Sequence, residues 1–222
     1  MEMDEKRVVT SLRLLYALWV MVGIFGLVYV PGNLIVHDDP TLTANNITGS
    51  EWLFRAGILA RLVVQLIFIL NVLLLYRLLA HVNRGQAVLM VAFALVSVPM
   101  AMYSETFQLL AADSLHRPDV LIAYLDRYAA GMSIAIIFWG LWLFPLGYLV
   151  YRSALFPNWV GLFLYVGGCG YLLGSLLTFL DIEAPGLKTI GEVLSIGETV
   201  FVAWLIFAGV SRSGKIRATS RS

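Results

Sequence analysis

The chain has 222 residues, 60% of them hydrophobic and 13% charged, with a formal net charge of +1 and a mean hydropathy of +0.85. Soluble domains carry about 25% charged residues, so an ordinary water-soluble domain is excluded and most of the chain must be solvated by lipid or by other apolar helices. The near-neutral charge gives no global bias toward nucleic acid, and the single cysteine, Cys169, excludes an intrachain disulfide and a multi-cysteine metal site.

At the N-terminus, Lys6, Arg7 and Arg13 precede an apolar run from Leu14 to Val30. The pattern resembles the charged and hydrophobic regions of a signal peptide. The run is long enough to span a bilayer, however, and V-Y-V-P-G-N offers no small-x-small cleavage site. It is therefore expected to stay as a first span, over residues 11–31, stopped by Pro31-Gly32. Spans 2 to 6 are expected over 51–79, 86–111, 127–152, from after Pro157 to 180, and over 187–210. Ser50 is the expected N-cap of span 2. Pro99 and Pro145 lie inside spans 3 and 4, where neighbouring helices can satisfy the freed carbonyls. The expectation is an all-α bundle of six transmembrane helices, a single domain over 1–210, with a basic tail over 211–222. No long internal repeat is visible.

Basic residues give the topology. Lys6, Arg7, Arg13, Arg77, Arg84, Arg152, Arg212, Lys215, Arg217 and Arg221 fall on one side. Only Arg117, Arg127 and Lys188 fall on the other. The positive-inside rule places both termini in the cytoplasm, as an even number of spans requires. The outer loops are acidic, with Asp38, Asp39, Glu51, Asp113, Asp119, Asp126, Asp181 and Glu183. They read as solvated surface or as a vestibule that attracts cations. His37-Asp38-Asp39 is a weak metal signal, and Asn46-Ile47-Thr48 fits a glycosylation sequon on the outer side. Trp52, Tyr128, Tyr148, Tyr151 and Trp159 sit where an interfacial aromatic belt would place them. Gly167, Gly170 and Gly174 in span 5 form a small-residue face, suited to packing within the bundle or to a homodimer seam.

Span 2 carries polar residues that a lipid-facing helix would not: Arg55, Arg61, Gln65 and Asn71. Entering from outside, it places Arg61 about 14 Å deep, whereas Arg55 is about one turn in and close enough to the interface to snorkel. Span 6 runs in the same direction, with Glu192 roughly 8 Å and Glu198 roughly 16 Å deep. Depth matching pairs Arg61 with Glu198 and Arg55 with Glu192. Six residues turn a helix by about 600°, so at most one of these pairs can be direct unless a third helix joins. Span 3 offers that third wall with Tyr103, Ser104, Glu105 and Gln108. Gln65, Ser195 and Thr199 complete the polar set in the outer half.

The blocks S-E-W-L-F-R-A-G-I-L-A-R-L and L-L-L-Y-R-L-L-A-H-V-N-R-G-Q-A, with F-P-L-G-Y-L-V-Y-R-S-A-L-F-P-N-W-V-G, T-A-N-N-I and a glycine-rich span 5, resemble the bacterial membrane family catalogued as domain of unknown function 4386. The resemblance covers nearly the whole chain. It implies a six-helix inner-membrane protein and marks Arg55, Asn83, Arg84, Tyr151 and Arg152 as motif positions. It implies no activity.

The functional expectation is a polar pocket in the outer half of the bilayer, formed by spans 2, 3 and 6. That pocket would bind or act on a lipid-like or isoprenoid molecule. Arg61, Arg55, Gln65, Tyr103, Gln108, Glu192, Ser195 and Thr199 would line it, with Glu198 or Glu105 as a general acid. The alternatives are a noncatalytic subunit, sensor or scaffold with structural ion pairs, and a small transporter. No cofactor is expected: His37, His81 and His116 all lie outside the membrane core, which argues against iron- or zinc-centred chemistry.

Overall fold

The computed structural model describes residues 2–36, 39–182 and 184–210. Among these residues all regular structure is helical. Six helical stretches are long and apolar enough to cross a membrane: Glu5–Leu34, Glu51–Leu79, Arg84–Ala112, Pro118–Arg152, Asn158–Phe179 and Pro185–Phe207. The expected all-α, six-span, multi-pass architecture is therefore observed. The tail over 211–222, the His37-Asp38 pair and Glu183 lie outside the described residues.

The first span is a composite of α1 (Glu2–Gly23), a π-helical segment (Ile24–Tyr29) and α2 (Val30–Leu34). Span 2 is α4 (Glu51–Leu79) and span 3 is α5 (Arg84–Ala112), which runs unbroken through Pro99. Span 4 is α6 (Pro118–Arg152), unbroken through Pro145. It begins nine residues before the expected 127. Pro118 is suited to a first helical position, and Asp119 in the first turn favours the positive helix end. Span 5 is α7 (Asn158–Phe179). Span 6 divides at Ile196 into α8 (Pro185–Ser195) and α9 (Gly197–Phe207).

An additional helix, α3 (Pro40–Gly49), lies in the connection between spans 1 and 2. Asp39 caps it by accepting from the Leu42 amide, and Pro40 occupies its first turn. Thr43 closes the preceding turn, since its hydroxyl accepts from Val36 N–H at 2.9 Å and donates to Val36 O at 3.0 Å. The sequon falls on this helix. Ile47 is fully buried, and the Asn46 amide reaches the Leu34 carbonyl, so it is not an open acceptor loop.

The chain forms two compact units. One comprises Ala17–Ile69 and Val98–Ala135. Its core joins Val30, Leu34, Ala44, Ile47, Phe54, Ile58, Ala111, Ala112 and Leu121, so α3 contributes Ala44 and Ile47 to the same cluster as α2, α4, α5 and α6. The close approach of α2 to α4 depends on Gly57, where a Cβ would stand 2.7 Å from Val30 Cγ1.

The other unit comprises, among the described residues, 2–16, 70–97, 136–182 and 184–210. In it α7 packs on α8 and α9 through glycines. A Cβ on Gly170 would lie 2.5 Å from Ser195 N and 2.6 Å from Gly191 O, and one on Gly197 would collide with the Phe163 carbonyl. Gly167 faces the Glu198 amide in the same seam, whereas a Cβ on Gly174 would meet nothing within 4 Å. Small residues matter here because lipid removes most of the hydrophobic drive, leaving van der Waals contact and hydrogen bonds to hold helices together. The end of α9 is closed by Gly209, at φ +70, whose amide bonds Trp204 O. Arg13 donates to Ile206 O from Nε at 3.0 Å and from Nη2 at 2.7 Å, a cation placed at a helix C-terminus.

Candidate functional site

The polar centre of the first unit begins with a backbone defect. In the π-helical segment the Val30 amide reaches back to Phe25 O, five residues earlier. Continuing that pattern, Gly26 O would receive the amide of residue 31. Residue 31 is proline, which has no N–H. The Gly26 carbonyl is thus left for another donor, and Arg61 Nη1 supplies it at 2.9 Å. Gly26 also makes the approach possible, because a Cβ there would stand 3.1 Å from both Ala60 Cβ and Arg61 Cγ.

The rest of the Arg61 guanidinium is taken up by α5. Its Nε lies 2.9 and 3.0 Å from the two Glu105 carboxylate oxygens, and Nη2 donates to Gln108 Oε1 at 2.6 Å. Glu105 and Gln108 are three residues apart and share one helix face. From α6, the Tyr128 ring lies over the guanidinium with 5.6 Å between its centroid and Cζ, a cation–π geometry. Arg61, Glu105 and Gln108 are 5%, 4% and 3% exposed. The charge is therefore neutralised, hydrogen-bonded and stacked, which a buried ion needs.

This corrects two expected pairings. Arg61 pairs with Glu105 and not with Glu198. Arg55 pairs with Glu51 at 2.7 Å and Asp113 at 3.2 Å, both on the exposed rim, and not with Glu192. Depth matching failed because it compared only span 2 with span 6, whereas the third helix allowed by the rotation argument supplies the counter-charge. Tyr128 likewise leaves the expected aromatic belt to cover Arg61. Trp52, at 72% exposure, keeps its outward place.

Other expected site residues lie elsewhere. Tyr103 is exposed and stands edge-on to Phe107. Gln65, one turn beyond Arg61 on α4, is buried, and its Oε1 has no hydrogen-bond partner. Asn71 is fully buried, with neither side-chain amide atom partnered.

The span 6 residues belong to the second unit. Glu198 accepts from the Tyr171 hydroxyl at 3.1 Å. Ser195 Oγ donates to Glu192 O, and Glu192 and Thr199 are exposed. Among the described residues no group of three or more His, Cys, Asp or Glu could hold a metal ion.

Sequence reasoning missed Gly26, Pro31 and Tyr171. Pro31 inside a span signals a freed carbonyl, but a regular α-helix would free that of residue 27; only the π-helical segment shifts it to Gly26. Nothing in the sequence marked Tyr171 out from other tyrosines.

Six long apolar helices and a charge pair enclosed among four of them define a polytopic α-helical membrane protein. The chain belongs to the family described as domain of unknown function (DUF4386), whose model matches residues 14–209, a range that includes Arg61, Glu105 and Glu198. It is also similar to an uncharacterised protein of Archaeoglobus fulgidus, 32% identical over 149 residues, covering 66% of this chain and 81% of that protein. No solved structure matches it.

Proposed function

We propose that this protein resides in the cytoplasmic membrane with both termini inside, and binds a lipid-like or isoprenoid amphiphile by its polar head at the Arg61 cluster. The observation that carries this reading is the pair of Arg61 and Gln65 on successive turns of α4. A guanidinium has five N–H donors, and the bonds to Glu105, Gly26 and Gln108 engage its three nitrogens with two N–H groups to spare. Gln65 adds a buried acceptor with no partner. A buried acceptor left unsatisfied costs about 1–3 kcal/mol. A head group bearing both a hydroxyl and an acceptor oxygen would satisfy both residues.

A second reading rests on the same geometry: every Arg61 nitrogen already has a protein partner, so the network serves to fix helix register. Gln65→Leu separates the two. Under the binding reading, lipid extracted from the purified variant lacks an amphiphile that co-purifies with the wild type, as judged by mass spectrometry. Under the structural reading, the variant has an unchanged lipid complement and equal or higher thermal stability, since an unpartnered acceptor has been removed.

A further inference from the structure

We propose that Glu198, together with Tyr171, forms a binding site for a lipophilic monovalent organic cation. This site lies in the second unit and is independent of the Arg61 reading. Glu198 is the thirteenth residue after Pro185 and the ninth before Phe207 in a helix pair that counts as one span. At 1.5 Å per residue this places it roughly 20 Å from one end and 14 Å from the other, well inside the hydrocarbon region.

The Tyr171 hydroxyl donates to the Glu198 Oε2 at 3.1 Å, and Glu198 stands in the first turn of α9. In its ionised form a carboxyl at that depth requires a counter-cation, and the ion pairs among the described residues provide none. Of the basic residues of α1 in this unit, Lys6 and Arg7 are exposed and Arg13 is held at Ile206 O, two turns further along. Glu192 on α8 is exposed and acidic, so it offers no positive charge.

The surroundings select the kind of cation. One carboxylate and one phenol do not make a cage for a divalent metal, which takes six or more oxygens. The neighbourhood is aromatic instead. Tyr171 flanks the carboxylate, and Phe201 follows one turn on. Tyr16, whose phenol interacts electrostatically with Glu198, stands edge-on to Phe201 with centroids 6.2 Å apart. Aromatic rings beside a single negative charge suit a diffuse organic cation. Glu198 is only partly buried, and its backbone amide faces Gly167, with Leu143 Cδ1 beside that contact. A proton competes for the same carboxylate.

The test uses the full chain in detergent and tetraphenylphosphonium as the probe, with binding measured by equilibrium dialysis. The proposal expects saturable binding to the wild type, weakened as pH falls from 8 to 5 because protons compete. Glu198→Gln should weaken it roughly tenfold or more and Tyr171→Phe by a smaller factor. Since Glu198→Gln can disturb folding, the wild-type protein is also treated with dicyclohexylcarbodiimide, which attacks carboxyl groups in apolar surroundings. Labelling mapped to Glu198 and suppressed by the probe supports the site. Absence of wild-type binding, binding unchanged in a folded Glu198→Gln variant, or labelling of Glu198 that the probe does not suppress would each overturn it.

Discussion

Arg61 donates from Nη1 to the carbonyl of Gly26 at 2.9 Å, and that carbonyl is free because Pro31 has no amide hydrogen to offer it. A side chain in one span thus completes the hydrogen bonding that a proline left open in another. π-Helical segments concentrate at functional positions. Here the segment turns a backbone acceptor toward the most deeply enclosed cation of its unit.

The first prediction concerns this bond. Pro31→Ala restores an amide at position 31, which can then bond Gly26 O. The cost of Arg61→Leu should be smaller in the Pro31→Ala background than in the wild type, with a coupling on the order of 1 kcal/mol. Thermal unfolding of the four proteins of the cycle in one detergent measures it. Strict additivity would show that Arg61 does not stand in for the missing amide.

Gly26→Ala should destabilise the fold by roughly 1–3 kcal/mol through overpacking. This exceeds the gain of at most about 1 kcal/mol that alanine brings to a helix. The added methyl would press on Ala60 Cβ and Arg61 Cγ at 3.1 Å, so the guanidinium must move from its partners. A melting temperature at or above the wild type's would contradict this packing.

The two arginines of α4 should respond very differently. Glu105→Gln leaves the Arg61 charge enclosed without a counter-charge, and removing one partner of a buried pair costs about 3–5 kcal/mol. Combining Arg61→Leu with Glu105→Leu should recover much of that loss, because no isolated charge remains. Arg55→Ala breaks pairs whose side chains are 45% to 67% exposed. Exposed pairs contribute about 0–1 kcal/mol, so its melting temperature should stay close to the wild type's. Equal losses at the two positions would refute the distinction.

Gly197→Ala should be among the most damaging single-methyl changes. Its Cβ would collide with the Phe163 carbonyl and stand 2.8 Å from the Gly167 amide nitrogen. Those are backbone atoms, which cannot rotate away, so α7 and α9 must separate. Gly174→Ala, which meets nothing within 4 Å, is the matched control and should be nearly neutral. The ratio of folded protein recovered from size-exclusion chromatography compares them.

The proposed orientation is tested by fusing a green fluorescent protein to the C-terminus. Fluorescence in a bacterial host is expected, since that reporter matures in the cytoplasm. Activity of a C-terminal alkaline phosphatase fusion in its place would reverse the orientation.

The spans were legible in the sequence because the bilayer fixes their length and apolar character in one dimension. Runs of about 20 apolar residues, a helix-compatible Pro99 and Pro145, and the small-residue face of α7 needed no knowledge of neighbours. The composition and spacing alone therefore determined that this is a six-span helical protein with a buried arginine needing a counter-charge. Which carboxylate answers it depends on helix rotation and adjacency, and depth along an axis constrains neither. Arg61 has candidate partners at similar depth on two helices, and the chain order of those helices does not rank them. Tertiary packing turned Glu105 and Gln108 of α5 and the Tyr128 ring of α6 toward the guanidinium. It left Glu198 with a tyrosine, and it gave Arg61 a backbone carbonyl that Pro31 had set free.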